Sequence, residues 1–173
     1  MNHKEDISVK KAAVIMGSAS DLPLAKEAIK TLTAFGVPQV TRVLSAHRTP
    51  DEAAAFAKGA ESEEIGVIIA FAGKAAHLAG AMAANSIVPV IGVPVSGKDF
   101  GGLDALLSTA QMPKGVPVAT VAVDGAVNAA LLAIRILALS EEALNQKLKL
   151  YVQKLAEQSA EADAAVQKEI EQL

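Results

Sequence analysis

The sequence predicts an α/β protein: a parallel sheet of about five strands with helices on both faces, followed by one long C-terminal helix. Three observations predict it. Short apolar runs alternate with helical segments along the chain, which favours parallel strands over hairpins. Several runs end in polar loops rich in Gly, Ser, Asp, His and Arg, as at the ligand-binding edge of open α/β sheets. Hydrophobic residues make up 51% of the 173 positions but aromatic residues only 3%, so the core must be built from Ala, Val, Ile and Leu.

The elements follow in order. Ala12 to Met16, with β-branched Val14 and Ile15, reads as a buried strand. Ser20-Asp21 with Pro23 marks a helix start and Gly36 its stop. Val40 to Leu44 is a second strand. Thr49-Pro50-Asp51-Glu52 opens a helix, with Thr as cap, Pro in the first turn and acids at the positive end of the dipole. Gly66 to Ala70 is a third strand and Ala75 to Asn85 a helix. Val88 to Val93, closed by Pro94, is the fourth strand, followed by a polar loop over 96–102 that reads as a mobile cover over a pocket. Leu103 to Ala110 is a short helix, Val116 to Val123 a fifth strand and Ala126 to Leu139 an apolar helix. Ser140-Glu141-Glu142 caps the last helix, whose apolar residues recur every three or four positions, a stripe suited either to its own domain or to a subunit seam. One domain over 1–173 is expected, with a flexible N-terminus over 1–10 and the C-terminal helix over 140–173.

Composition narrows the function. A net charge of −3 gives no case for nucleic acid or an anionic membrane. No run is long and apolar enough to span a bilayer and no signal core is present, so a cytoplasmic protein is expected. With no cysteine, disulfides, thiolate catalysis and cysteine-held metals are excluded. The patterns for a serine nucleophile elbow, a helical metal-binding histidine pair and a dinucleotide fingerprint are missing.

Three loops carry the candidate chemistry. In the first, Ser18, Ser20 and Asp21 sit beside Gly17, where a helix N-terminus can receive an anion and Asp21 can accept hydrogen bonds from ribose hydroxyls. Simple helix capping would use the same residues. In the second, Ser45-Ala46-His47-Arg48-Thr49-Pro50, Arg48 can hold a phosphate through two hydrogen bonds with help from Ser45, and His47 can exchange protons near neutral pH. In the third, Gly73-Lys74-Ala75-Ala76-His77-Leu78, His77 reads equally as a packed residue and Lys74 as a solvated cation. Together the groups suit a small phosphorylated, hydroxylated substrate.

The runs Ile15 to Asp21, Ser45 to Pro50, Ala75 to Leu78, Val90 to Pro94, Gln111 to Pro113, Gly115 to Pro117 and Asn128 to Ala133 follow one another in the order of a known family. The chain resembles the class I branch of the aminoimidazole ribonucleotide carboxylases of purine biosynthesis over about residues 12 to 150. The resemblance implies a three-layer α/β/α flavodoxin-like fold and a homo-octamer with active sites between subunits. It implies a reaction without cofactor or metal: 5-(carboxyamino)imidazole ribonucleotide, a phosphoribosyl-imidazole, has its carboxylate moved from the exocyclic nitrogen to the ring carbon. It assigns His47 as general acid/base, Ser18 and Asp21 to the nucleotide, with Asp21 at the ribose, Ser45 and Arg48 to the phosphate end, and His77 to the same pocket; Ser20, Ala46, Gly73, Lys74 and Leu78, which neighbour them in the three loops, are further substrate-binding candidates.

The chain departs from the class I pattern in three places. Lys74 stands where a second glycine is usual, Phe71 where a small residue is usual, and Ala79 where proline is usual. Two other readings stay open: a class II-type carboxylase that fixes free carbon dioxide, a lyase-type activity, and a ligand-binding homologue without turnover.

Overall fold

The computed structural model describes residues 9–173. Most of the expected flexible N-terminus therefore lies outside the described residues, and Val9 and Lys10 lead directly into the first strand.

The element order is β1 (Lys11–Met16), α1 (Leu22–Phe35), β2 (Gln39–Val43), α2 (Pro50–Gly59), β3 (Ile65–Gly73), α3 (Leu78–Ala84), β4 (Val90–Val95), α4 (Leu103–Ala110), β5 (Ala119–Thr120), α5 (Ala126–Leu137) and α6 (Glu142–Ile170), with a 3-10 turn at Ala19–Asp21. The five strands are all parallel in the order β2-β1-β3-β4-β5. This is the flavodoxin-like order, and its switch point lies between the carboxyl ends of β1 and β3.

Side-chain alternation builds two cores from one sheet. From β1, Ala12, Val14 and Met16 face α1 and α5, while Ala13 and Ile15 face α2 and α3. β3 does the same with Val67, Ile69 and Phe71 against Ile68 and Ala70. The helices answer with small residues: Ala25 and Ala28 from α1, Ala129, Ala130 and Ala133 from α5, Ala53 and Ala57 from α2. Close approach is also set by Gly92 in β4, where an added Cβ would lie 2.3 Å from the Thr109 methyl of α4. Burying an aliphatic side chain is worth about 1.5–3 kcal/mol, so this continuous apolar packing is what holds the sheet edge in place.

Several boundaries differ from expectation. Pro94 lies inside β4, opposite Ala72, because the strand runs two residues further toward the site. The strand expected over Val116 to Val123 contracts to Ala119–Thr120: it is an edge paired only with Ile91 and Gly92, and Pro117 cannot donate a ladder hydrogen bond. The third-loop helix starts at Leu78, three residues late, because Lys74 takes a left-handed conformation (φ 55°). Thr49 is the N-cap residue of α2 but makes no capping bond, since its hydroxyl bonds back to Ser45. Ser140 does not cap α6; its hydroxyl donates to the Leu137 carbonyl, and Glu141 holds the cap position.

Candidate active site

Four strands deliver their carboxyl ends to one cleft of about 800 Å³, a size that accommodates a nucleotide-sized ligand. Its walls include Gly17, Ser18, Ser20 and Asp21 after β1, Ser45 to Arg48 after β2, Ala72 to Ala75 with His77 and Leu78 after β3, and Val95 to Gly97 after β4. Every residue expected at the site therefore lines the same concavity. The backbone sets the convergence: the Gly17 N–H donates to the Phe71 carbonyl at 2.9 Å and the Leu44 N–H to the Met16 carbonyl at 2.9 Å, stitching the strand ends together.

The first loop is tightly self-bonded. The Ser18 N–H donates to Asp21 Oδ2 at 3.1 Å, and the Ser20 N–H and hydroxyl both donate to Ser18 Oγ, at 3.3 and 2.9 Å. This is a capping box, so the capping reading holds, yet the same residues face the cleft. Asp21 is only 7% exposed. Burial pushes its carboxyl above the ordinary value of 3.8, while the Ser18 N–H, the Ser20 hydroxyl and the Arg48 guanidinium pull the other way.

The second loop is locked by reciprocal bonds. The Ser45 N–H donates to Thr49 Oγ1 at 3.1 Å and Thr49 Oγ1 donates to the Ser45 carbonyl at 3.2 Å. Ser45 Oγ accepts from the Arg48 N–H at 3.2 Å and from Arg48 Nε at 3.3 Å, leaving its own O–H available to an anion. Arg48 Nη2 donates to the Gly17 carbonyl at 2.8 Å. The guanidinium thus ties the first two loops together and keeps further N–H donors for a ligand.

The histidines meet across the second and third loops. His47 Nε2 and His77 Nδ1 are 2.8 Å apart, with the rings nearly perpendicular at 83°. A bond of this length holds one hydrogen between the two nitrogens, so the tautomer of one ring dictates that of the other. His77 is thus not a packed core residue: it is exposed at the start of α3 and positions the imidazole of His47.

The three departures separate physically. Phe71 is fully buried on the α1 and α5 side of the sheet, and Ala79 is buried on the inner face of α3, so both belong to the core. Lys74 alone lines the cleft, exposed, in a backbone conformation that disfavours any side chain. The loop over 96–102 contributes Ser96 and Gly97 to the wall, and the Ser96 N–H donates to Asp124 Oδ1 at 2.9 Å. Ala72 and Val95 are wall residues that sequence reasoning did not single out. Their signal was their place at the ends of strands.

Fold and site define an open α/β protein with a nucleotide-sized cleft at the switch point and a coupled histidine pair. The AIR carboxylase family profile matches residues 11–158, and the chain belongs to that family. It is 55% identical over 139 residues to the N5-carboxyaminoimidazole ribonucleotide mutase of Pyrococcus horikoshii, covering 80% of this chain and 78% of that one. It is 48% identical over 158 residues to the Mycobacterium tuberculosis protein of the same name, covering 91% of both chains. The crystal structure of Treponema denticola PurE superposes with a TM-score of 0.81 at 30% identity, covering 88% of this chain and 96% of that one.

Proposed function

We infer that this chain is a carboxylate-shifting isomerase of purine biosynthesis, converting 5-(carboxyamino)imidazole ribonucleotide to the ring-carboxylated isomer. The observation that carries the reading is the 2.8 Å contact of His47 and His77 inside a cleft already furnished for a ribose phosphate. Arg48, Ser45 and the N-terminal end of α2 suit the phosphate, Asp21 suits ribose hydroxyls, and the histidines are left over for proton transfer.

The steps balance within one substrate. The bond between the exocyclic nitrogen and the carboxyl carbon breaks, its electron pair stays on nitrogen, and His47 supplies the proton that nitrogen takes up. Carbon dioxide stays in the cleft, and the nucleophilic ring carbon attacks it. The proton on that carbon then returns to His47, directly or through the nitrogen. Holding carbon dioxide beside the ring replaces a bimolecular encounter by a positioned one. A histidine whose tautomer is set by a neighbour suits a step that must both give and take a proton.

The reading carries with it a single-domain subunit, a homo-octamer and a cytoplasmic setting. No helix among the described residues is long and apolar enough to cross a membrane. The test is turnover of 5-(carboxyamino)imidazole ribonucleotide, compared with aminoimidazole ribonucleotide plus bicarbonate, both without ATP. Turnover of the first alone supports the isomerase. Turnover of the second alone assigns a carboxylase, and binding without turnover of either assigns a non-catalytic homologue.

A further inference from the structure

The fourth wall of the cleft is held differently from the other three. The loops after β1, β2 and β3 are braced by side chains that themselves line the cleft, among them Asp21, Arg48, His47 and His77. Val95, Ser96 and Gly97 form the wall after β4, and the side chain that holds Ser96 lies outside it. The Ser96 N–H donates to Asp124 Oδ1 at 2.9 Å, and Asp124 does not line the cleft. The wall also borders the third loop, since a Cβ added at Gly73 would lie 3.2 Å from the Val95 carbonyl oxygen.

Asp124 is firmly seated. It stands between β5 and α5, two residues before a helix whose Ala126, Ala129, Ala130, Ala133 and Ile134 are buried in the core. Its N–H donates to the Pro94 carbonyl at 2.9 Å, and the Ala126 N–H donates to the Asp124 carbonyl at 2.8 Å. The amide and the carboxylate of one residue thus bracket Val95. The backbone of Asp124 is left-handed, with φ 57°, a conformation that costs any residue but glycine free energy. The adjacent Val123 presses on the far end of the same loop: a Cβ added at Gly102 would lie 2.6 Å from Val123 Cγ1 and 3.1 Å from the Ser96 Cα. The loop over 96–102 is therefore pinched at both ends. At its tip Phe100 is 69% exposed, and a Cβ added at Gly97 or Gly101 would meet no atom of the described residues within 4 Å.

We propose that Asp124 is a positioning residue of the cleft: its carboxylate fixes the Ser96 amide and so sets where Ser96 and Gly97 meet the bound nucleotide. Glycine would take this left-handed position without strain, so an aspartate there points to a task for its side chain. It touches no reacting atom. Val95, Ser96 and Gly97 offer no acid, base or cation, so the wall serves binding and leaves proton transfer to the histidines. A contact of that kind holds substrate and transition state alike, and its loss falls on KM more than on kcat. The consequence for turnover rests on the function proposed for the cleft, whereas the hold on Ser96 does not.

Two variants separate the carboxylate from the backbone that carries it. Asp124→Gly keeps the left-handed conformation free of strain and removes only the acceptor. Asp124→Asn keeps an acceptor oxygen and tolerates the conformation. In the glycine variant, KM for 5-(carboxyamino)imidazole ribonucleotide is expected to rise about tenfold, near the lower end of what a hydrogen bond to a charged group is worth, with kcat within about twofold of wild type. The asparagine variant is expected to stay near wild type in both. Hydrogen exchange, read by mass spectrometry over a peptide containing Ser96, reports the hold itself: about tenfold faster exchange of that amide is expected with glycine and the wild-type rate with asparagine. An unchanged KM in the glycine variant of an active enzyme overturns the positioning role. So does a fall in kcat alone, or an asparagine variant that fails as the glycine variant does, since either makes Asp124 merely structural. Where the wild type turns over neither substrate set, the function proposed for the cleft fails and exchange decides alone: faster exchange with glycine supports the hold on Ser96, and unchanged exchange overturns it.

Discussion

The loops around the cleft and the far half of α6 are both polar and both exposed, yet they are organised by opposite means. At the cleft, side chains bond the short loops to one another, Arg48 to Gly17 and His47 to His77, and brace them internally, Ser45 to Thr49 and Asp21 to Ser18. Each loop follows a strand of the one sheet, so its polar groups are held where a ligand can meet them. Along α6 beyond Tyr151, no hydrogen bond or salt bridge among the described residues ties the helix to the domain, and its pattern is a repeating face. The difference teaches what kind of partner each region is built for. Fixed polar groups in a concavity recognise a small molecule, whereas a long repeating stripe recognises another extended surface.

The largest expected effect lies in the cleft. His47→Asn should lower turnover by about 100- to 10,000-fold, the usual contribution of a general acid/base, while nucleotide binding survives. Steady-state rates and a binding titration check it. Near-normal turnover would remove His47 from the chemistry and leave the histidine contact a structural one.

Arg48→Ala should weaken nucleotide binding by roughly 1.5–3 kcal/mol, the worth of hydrogen bonds to charged groups. The unphosphorylated nucleoside should lose less. Since Arg48 also bonds the Gly17 carbonyl, an equal loss for both ligands would mean that its tie between loops matters and its reading of the phosphate does not.

Lys74 sharpens the contrast from within the cleft, because it is the one wall residue in a strained conformation. A non-glycine residue there costs about 1–2 kcal/mol, part of which a glycine gives back in unfolded-state entropy. Lys74→Gly should therefore raise stability by roughly 0.5–1 kcal/mol. The same variant should change the ratio of isomerase to bicarbonate-dependent turnover if the ammonium acts on the substrate carboxylate. Denaturant midpoints and kinetics on both substrate sets separate the two: a stability gain with an unchanged ratio makes Lys74 a bystander on the wall.

How much of this was legible in the sequence depends on how local the cause is. The buried strands were readable because Ala12 to Met16 and Gly66 to Ala70 are apolar runs whose burial the sheet demands. Their alternation with helices implied parallel pairing, and the loops following them implied a shared edge. What failed depended on partners elsewhere. Val116 to Val123 looked like a full strand, but an edge position beside Pro117 leaves it two paired residues. Thr49 looked like a cap, but Ser45 competes for its hydroxyl. The contact of His47 with His77 spans loops 30 residues apart, and no spacing announces it. Ser96 and Asp124 join only through the register of β4 with β5.

The smallest effect concerns Asp21, and it tests whether the cleft keeps a group the fold would rather not bury. Its carboxyl is raised above 3.8 chiefly by burial, so the native state holds this proton more tightly than the unfolded chain does. Below the ordinary value both states are protonated and the group costs nothing. As pH rises from there toward the raised value, the unfolded chain releases its proton first, and stability falls. Above the raised value the loss is complete and constant. Asp21→Asn keeps an oxygen to accept the Ser18 N–H but cannot ionise. The stability difference, Asn variant minus wild type, should therefore grow more positive between about pH 3.5 and pH 7. Groups common to both proteins cancel in that difference. Denaturant titrations at the two pH values measure it, and a difference that stays flat or turns negative would show that Asp21 is ionised in the fold without penalty. A positive change together with weaker nucleotide binding would mean that the buried carboxylate is retained for its ligand, a constraint the free stripe of α6 does not carry.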